Sequence, residues 1–251
     1  MISLREAADC LGLGSDFSVV DDFFGFLNLP PSPGAAPPGL PADPTGAIVS
    51  VSLKEQMDAL EGEIFHVNVI RVGSDLFSAS DNDEVDYSIY RMRNIYAAIG
   101  IGIGRVKHYF ITSADANGLD SPTKDKDLKD LTQIYSVPTD GIDLFIVNNM
   151  NIVDKNNNVT LGRSAVGGPC GDKDPVFGLS GSTCGLFGSE QTSRTAAHEI
   201  GHYLSLQHRN KEPMNLMCQS LNARSTRNSV KFDDGKQERR VRRHCFVSER
   251  C

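Results

Sequence analysis

Between Glu84 and Ile99 the apolar residues Val85, Ile89, Met92, Tyr96 and Ile99 recur at helical spacing, and Gly100 follows as a C-terminal cap. The pattern changes on both sides of that stretch. Ala47–Leu53, Glu63–Val72 and Gly104–Thr112 are rich in β-branched residues and bounded by turn formers, so each predicts a strand. Asp127–Tyr135 reads as a helix and Gly141–Asn148, almost wholly apolar, as a buried strand. The glycine-rich stretch from Leu161 to Gly188 predicts loop with one edge strand at most. Thr192–Leu206 and Asp233–Arg243 predict two further helices. Strand and helix in alternation predict an α/β sandwich built on a twisted, mixed, mainly parallel sheet.

Proline divides the chain. Seven of its 12 prolines fall in residues 30–46, a stretch without apolar periodicity that reads as a semi-rigid linker. Residues 1–29 are then a short acidic segment, a tail or a remnant of a pro-segment, and residues 47–251 form the main domain. Composition narrows the class. The chain has 251 residues, 39% of them hydrophobic, and a formal charge of −7. That is enough apolar material for a core, and the acidic balance argues against a dedicated nucleic-acid binder. No run approaches the roughly 18 apolar residues of a membrane span. Residues 224–251 depart from the acidic average with nine basic and four acidic residues. We read that stretch as the solvated face of a helix.

The chemistry concentrates in His198-Glu-Ile-Gly-His202-Tyr-Leu-Ser-Leu-Gln-His208. On a helix, positions i and i+4 share a face, so His198 and His202 can offer ring nitrogens to one cation. Glu199 sits beside the first of them, placed for proton transfer rather than ligation. His208 can supply a third nitrogen if the chain turns back after the helix. Three imidazoles favour zinc and leave one tetrahedral position open, as catalytic sites do. By chance, H-E-x-x-H would arise in roughly half a percent of chains with these counts, and the third histidine lowers that to about one in ten thousand. His66, His108 and His244 lack such spacing and read as packing or surface residues.

This run resembles the signature of the metzincin clan of zinc metalloendopeptidases, H-E-x-x-H-x-x-G-x-x-H followed by a methionine-containing turn. Asn215-Leu216-Met217-Cys218 matches the turn, with Met214 as the alternative methionine. The short connector is similar to the matrixin branch. The resemblance implies that His198, His202 and His208 bind Zn2+, that Glu199 is the general base, and that Met217 lies beneath the metal. It implies a zincin-like fold with an active-site helix and a C-terminal helix, and hydrolysis of peptide bonds in protein or peptide substrates. Residues Cys218, Gln219, Ser220 and Leu221 would wall the substrate pocket. Ser205 departs from the pattern, standing where the clan has a glycine at positive φ. A non-catalytic zinc-binding or adhesion module of the same fold is the alternative, as is a closed zinc site with Cys218 as fourth ligand.

Six cysteines and a protease of this class predict a secreted, monomeric protein. We expect a Cys170–Cys184 bridge, because the loop between them has little apolar content to hold it, and a Cys218–Cys245 bridge near the C-terminal helix. Asp115–Asp120 and Asp154–Asn158 carry oxygen groups at spacings that suit Ca2+ as well as ordinary polar turns. Asn158-Val-Thr160 is a glycosylation sequon.

Overall fold

The computed structural model describes residues 62–154, 157–171, 173–219, 230–233 and 235–249. The strand expected at 47–53, the N-terminal segment, the linker, Cys10, Cys251, Ser220 and Leu221 lie outside those residues.

Among the described residues six strands form one sheet. They are β1 (Glu63–Val72), β2 (Ile101–Ile111), β3 (Gly141–Val147), β4 (Gly162–Arg163), β5 (Ser182–Gly185) and β6 (Ser248–Glu249). The order is β2-β1-β3-β5-β4, with β6 added against the start of β1. Pairings β1·β2, β1·β3 and β3·β5 are parallel, whereas β4 and β6 run antiparallel to their neighbours. Strands β1 and β3 are buried on both faces, which is why they read as nearly continuous apolar runs.

Each face of the sheet has its own core. Phe65, Val67 and Val69 of β1 and Ile142, Leu144 and Ile146 of β3 pack on one side. Two helices cover them: α1 (Ala79–Ala97) and, after β5, α4 (Ser189–Tyr203). Ile70, Val72, Phe145 and Val147 point to the other side, where α3 (Asp125–Ile134) supplies Leu128 and Leu131 and the short α2 (Ser113–Ala116) supplies Ala116. A last helix, α5 (Lys236–Arg242), buries Val241 in the first core. No helix among the described residues is long and apolar enough to cross a membrane.

Polar chemistry sets the ends of these helices. α1 starts five residues before Glu84 because Ser78 and Asp81 form a capping box, Asp81 donating its backbone N–H to Ser78 Oγ at 3.2 Å and accepting from the Ser78 N–H at 2.8 Å. α4 has no side-chain cap of its own. Glu84 of α1 reaches across instead, one carboxylate oxygen accepting from the N–H groups of Phe187 (3.1 Å) and Gly188 (3.0 Å) and from Thr192 Oγ1 (2.5 Å).

The disulfide differs from both expected pairs. Cys170 is bonded to Cys245, with Cα atoms 5.9 Å apart, while Cys184 and Cys218 are buried free thiols. Cys184 belongs to β5, an inner strand in a stretch whose sequence predicts loop with one edge strand at most, and its side chain enters the core with its Sγ directed at the carbonyl of Thr192. A residue fixed there is out of reach of Cys170. The segment before Cys170 instead runs past the end of α4, with Gly167 and Gly168 donating to the carbonyls of His202 and Tyr203. Gly168 is needed at this crossing, since a Cβ would lie 2.5 Å from the Tyr203 ring. His244 and Phe246 pack on the same tyrosine, which brings Cys245 alongside.

Candidate metal centre and active site

α4 buries the face that carries His198, Glu199 and His202. The two imidazole rings lie edge to face with centroids 4.7 Å apart, the separation that one helical turn imposes. The helix then ends in a Schellman motif. Leu206 N–H donates to Gly201 O and Ser205 N–H to His202 O, both at 2.9 Å. That motif needs a left-handed residue, and Ser205 supplies it at φ 75°. The serine therefore adopts the conformation expected of the glycine it replaces. The reversed chain brings His208 back, its ring centroid 4.6 Å from that of His202, and the donor atoms of the three histidines lie within 4.8 Å of one another.

Backbone carbonyls fix the rings. His198 Nδ1 is 2.7 Å from Leu216 O and His202 Nδ1 is 2.8 Å from Leu206 O. A carbonyl only accepts, so both Nδ1 atoms carry the proton and both Nε2 atoms present a lone pair. His202 Nε2 comes within 3.0 Å of His208 Nε2. Burial holds all three rings below the ordinary histidine pKa, His202 at about 4, so they stay neutral at physiological pH. Three converging neutral imidazoles are a donor set that fits zinc.

Glu199 is buried, and desolvation pushes its carboxyl up to about 8, with Arg163 pulling the other way. Its stem lies against Gly162 of β4, where a Cβ would come 2.7 Å from Glu199 Cγ. Beneath the helix, Met217 is fully buried, and a Cβ on Gly201 would sit 2.7 Å from its Sδ. Met214, the alternative, is exposed. The backbone of the Met217 turn is tied to both sides of the site. Arg194 donates to the carbonyls of Leu216 and Cys218, and Arg209 N–H donates to Met217 O at 2.9 Å.

A cleft of about 680 Å3 opens over these groups, lined by the three histidines, Glu199, Arg163 and Gln219 among others. One wall is the 159–164 segment with edge strand β4. Gln219 lines this cleft and exchanges hydrogen bonds with Asn210. Cys218 does not: it is buried, with its Sγ on the carbonyl of Gln219 and away from the histidine cluster. Arg163, Arg194, Gly162 and Glu84 carry no motif, and sequence reasoning missed them. In the Asp154–Asn158 turn both carboxylate oxygens of Asp154 accept from Asn158. His66 and His108 lie apart from the centre, each with Nδ1 against a nitrogen donor, Arg105 N–H at 2.9 Å and Arg71 Nη1 at 2.7 Å.

Residues 83–209 match the family model described as metallo-peptidase family M12B, reprolysin-like, and the chain belongs to that family. It is a metzincin-type zinc metallopeptidase, with protein or peptide substrates. The clan assignment thus holds, with the reprolysin-like branch the one that matches. Among solved structures, an archaemetzincin from Methanopyrus kandleri is 16% identical with a TM-score of 0.46, the match covering 70% of this chain and 94% of that one. Metalloproteinase-II from Bacteroides fragilis is 15% identical with a TM-score of 0.49, covering 72% of this chain and 53%, about half, of its own. No curated protein is significantly similar in sequence.

Proposed function

We propose that the protein is a secreted endopeptidase in which His198, His202 and His208 hold zinc and Glu199 is the general base. The observation that carries this reading is the placement of a buried Glu199 carboxylate beside three imidazoles whose donor atoms converge, all lining one cleft. Zinc held there supplies Lewis acidity, which lowers the pKa of water towards neutrality and polarises a carbonyl. Glu199 takes a proton from the attacking water and returns it to the leaving amine. Desolvation raises the proton affinity of the Glu199 carboxylate, which favours taking up the water proton. His198 and His202, locked through Nδ1, keep their Nε2 atoms aimed without reorganisation. Among the described residues β4 is the edge strand of the sheet along the cleft, so an extended polypeptide can pair with it and present an internal bond to Glu199. The disulfide supports an oxidising, extracellular setting.

Two substitutions test the roles. Glu199→Ala should keep zinc and lose about 10²–10⁴-fold in peptide hydrolysis. His208→Ala should lose zinc as well, because a ligand is removed. Full activity in Glu199→Ala would refute the mechanism, and a wild type that retains zinc yet cleaves no peptide would favour a binding module.

A further inference from the structure

Next to the catalytic cleft lies a second concavity, of about 930 Å3, and His208 lines both. Its lining includes Lys236, Arg239, Arg240 and Arg243, and no acidic side chain among the described residues. These four positions are i, i+3, i+4 and i+7, so α5 turns a single cationic stripe into the groove, beside the buried Gln237, while Val241 packs into the core.

Other basic residues nearby are neutralised. Arg209 pairs with Asp233 Oδ2 at 3.0 Å and with Glu212 at 3.9 Å, and Arg242 pairs with Glu63 and with Glu238. The four stripe residues have no ion pair among the described residues, although Arg240 Nη1 reaches Ser205 O at 3.5 Å. Helix stability does not account for the arrangement. Cations in the last turn suit the helix dipole, but Lys236 opens the helix, where the dipole disfavours it. A stripe of uncompensated charge on a protein of net charge −7 is a localised field, strongest for an anion held inside the groove.

We propose that this groove is an exosite that binds an acidic segment of the polypeptide substrate. Continuity through His208 chooses the occupant, because a chain lying in the cleft is delivered into the groove without leaving the surface. From Lys236 to Arg243 the stripe extends about 10 Å at 1.5 Å per helical residue. An extended chain covers that in about three residues. The groove therefore selects substrates with two or three clustered Asp or Glu residues on the side of the scissile bond that His208 borders. The inference rests on the peptidase reading above.

The test uses paired fluorogenic peptides that share one cleavable core and carry Glu-Glu-Glu or Gln-Gln-Gln, on either flank. At low ionic strength KM should be about tenfold lower for the Glu peptide on one flank only, with kcat nearly equal, and the ratio should fall towards one in about 0.5 M salt. K236Q/R239Q/R243Q should bring the ratio to about one even at low salt. An unchanged ratio in that variant, or a wild type with no preference, overturns the proposal. A binding arm separates this failure from failure of the peptidase reading: fluorescence anisotropy of a labelled Glu-rich peptide needs no turnover. Binding lost in K236Q/R239Q/R243Q supports the exosite even without hydrolysis. Equal binding to wild type and variant, or retention of heparin alone, contradicts it.

Discussion

Ser205 shows how one residue links helix termination to chemistry. Its left-handed backbone places Leu206 so that the Leu206 N–H closes the Schellman motif and its carbonyl holds His202 Nδ1. A non-glycine residue at positive φ costs roughly 1–2 kcal/mol, partly offset by the larger unfolded entropy that glycine would bring. Ser205→Gly should therefore raise stability by about 0.5–1 kcal/mol in urea unfolding and keep zinc affinity; a loss of stability would show that the hydroxyl contributes. This position was legible through the resemblance to the metzincin signature, which has a glycine there. The clustering of the three histidines, with Glu199 beside them, was legible from their spacing, and Met217 only through the resemblance. Arg163, Arg194 and Gly162 were not, because each meets the site only through tertiary approach. Gly162, for example, matters only because β4 passes against the Glu199 stem.

At the scale of elements, strong periodicity was readable and short or polar pieces were not. β1 spans the same ten residues, Glu63–Val72, that the β-branched run marked out. β5 escaped because Ser182–Gly185 is four residues long and its burial depends on neighbours rather than on apolar content. The start of α4 was placed three residues late because its cap comes from Glu84, more than a hundred residues earlier in the chain. That cap satisfies donors that a helix N-terminus otherwise leaves open. Removing it in Glu84→Ala should cost about 1–3 kcal/mol, read as a lower urea midpoint. Unchanged stability would mean that the exposed end of α4 finds water just as good.

At the scale of the molecule, one covalent link among the described residues joins the segment before β5 to the C-terminal segment. Cys170 and Cys245 are separated by 75 residues, and closing a loop of that size restricts the unfolded chain by about 4 kcal/mol in the entropic account. The paired change Cys170→Ser with Cys245→Ser should lower stability by about 2–4 kcal/mol. Mapping of unreduced peptides should recover Cys170 joined to Cys245, with Cys184 and Cys218 alkylated only after unfolding. Recovery of Cys170 with Cys184 would return the pairing that loop composition suggested. That expectation failed because spacing along the chain cannot show that Cys184 is turned into the core.

The central claim is that three histidines and one carboxylate make a zinc-dependent peptidase that cuts within a chain. Zinc titration of the chelator-treated full-length protein tests it most directly, with hydrolysis of unfolded casein followed by mass spectrometry of the products. Activity should rise linearly, break at one equivalent of zinc, and yield fragments with new termini at internal bonds. Activity independent of zinc, or single residues released only from a chain end, would contradict the account.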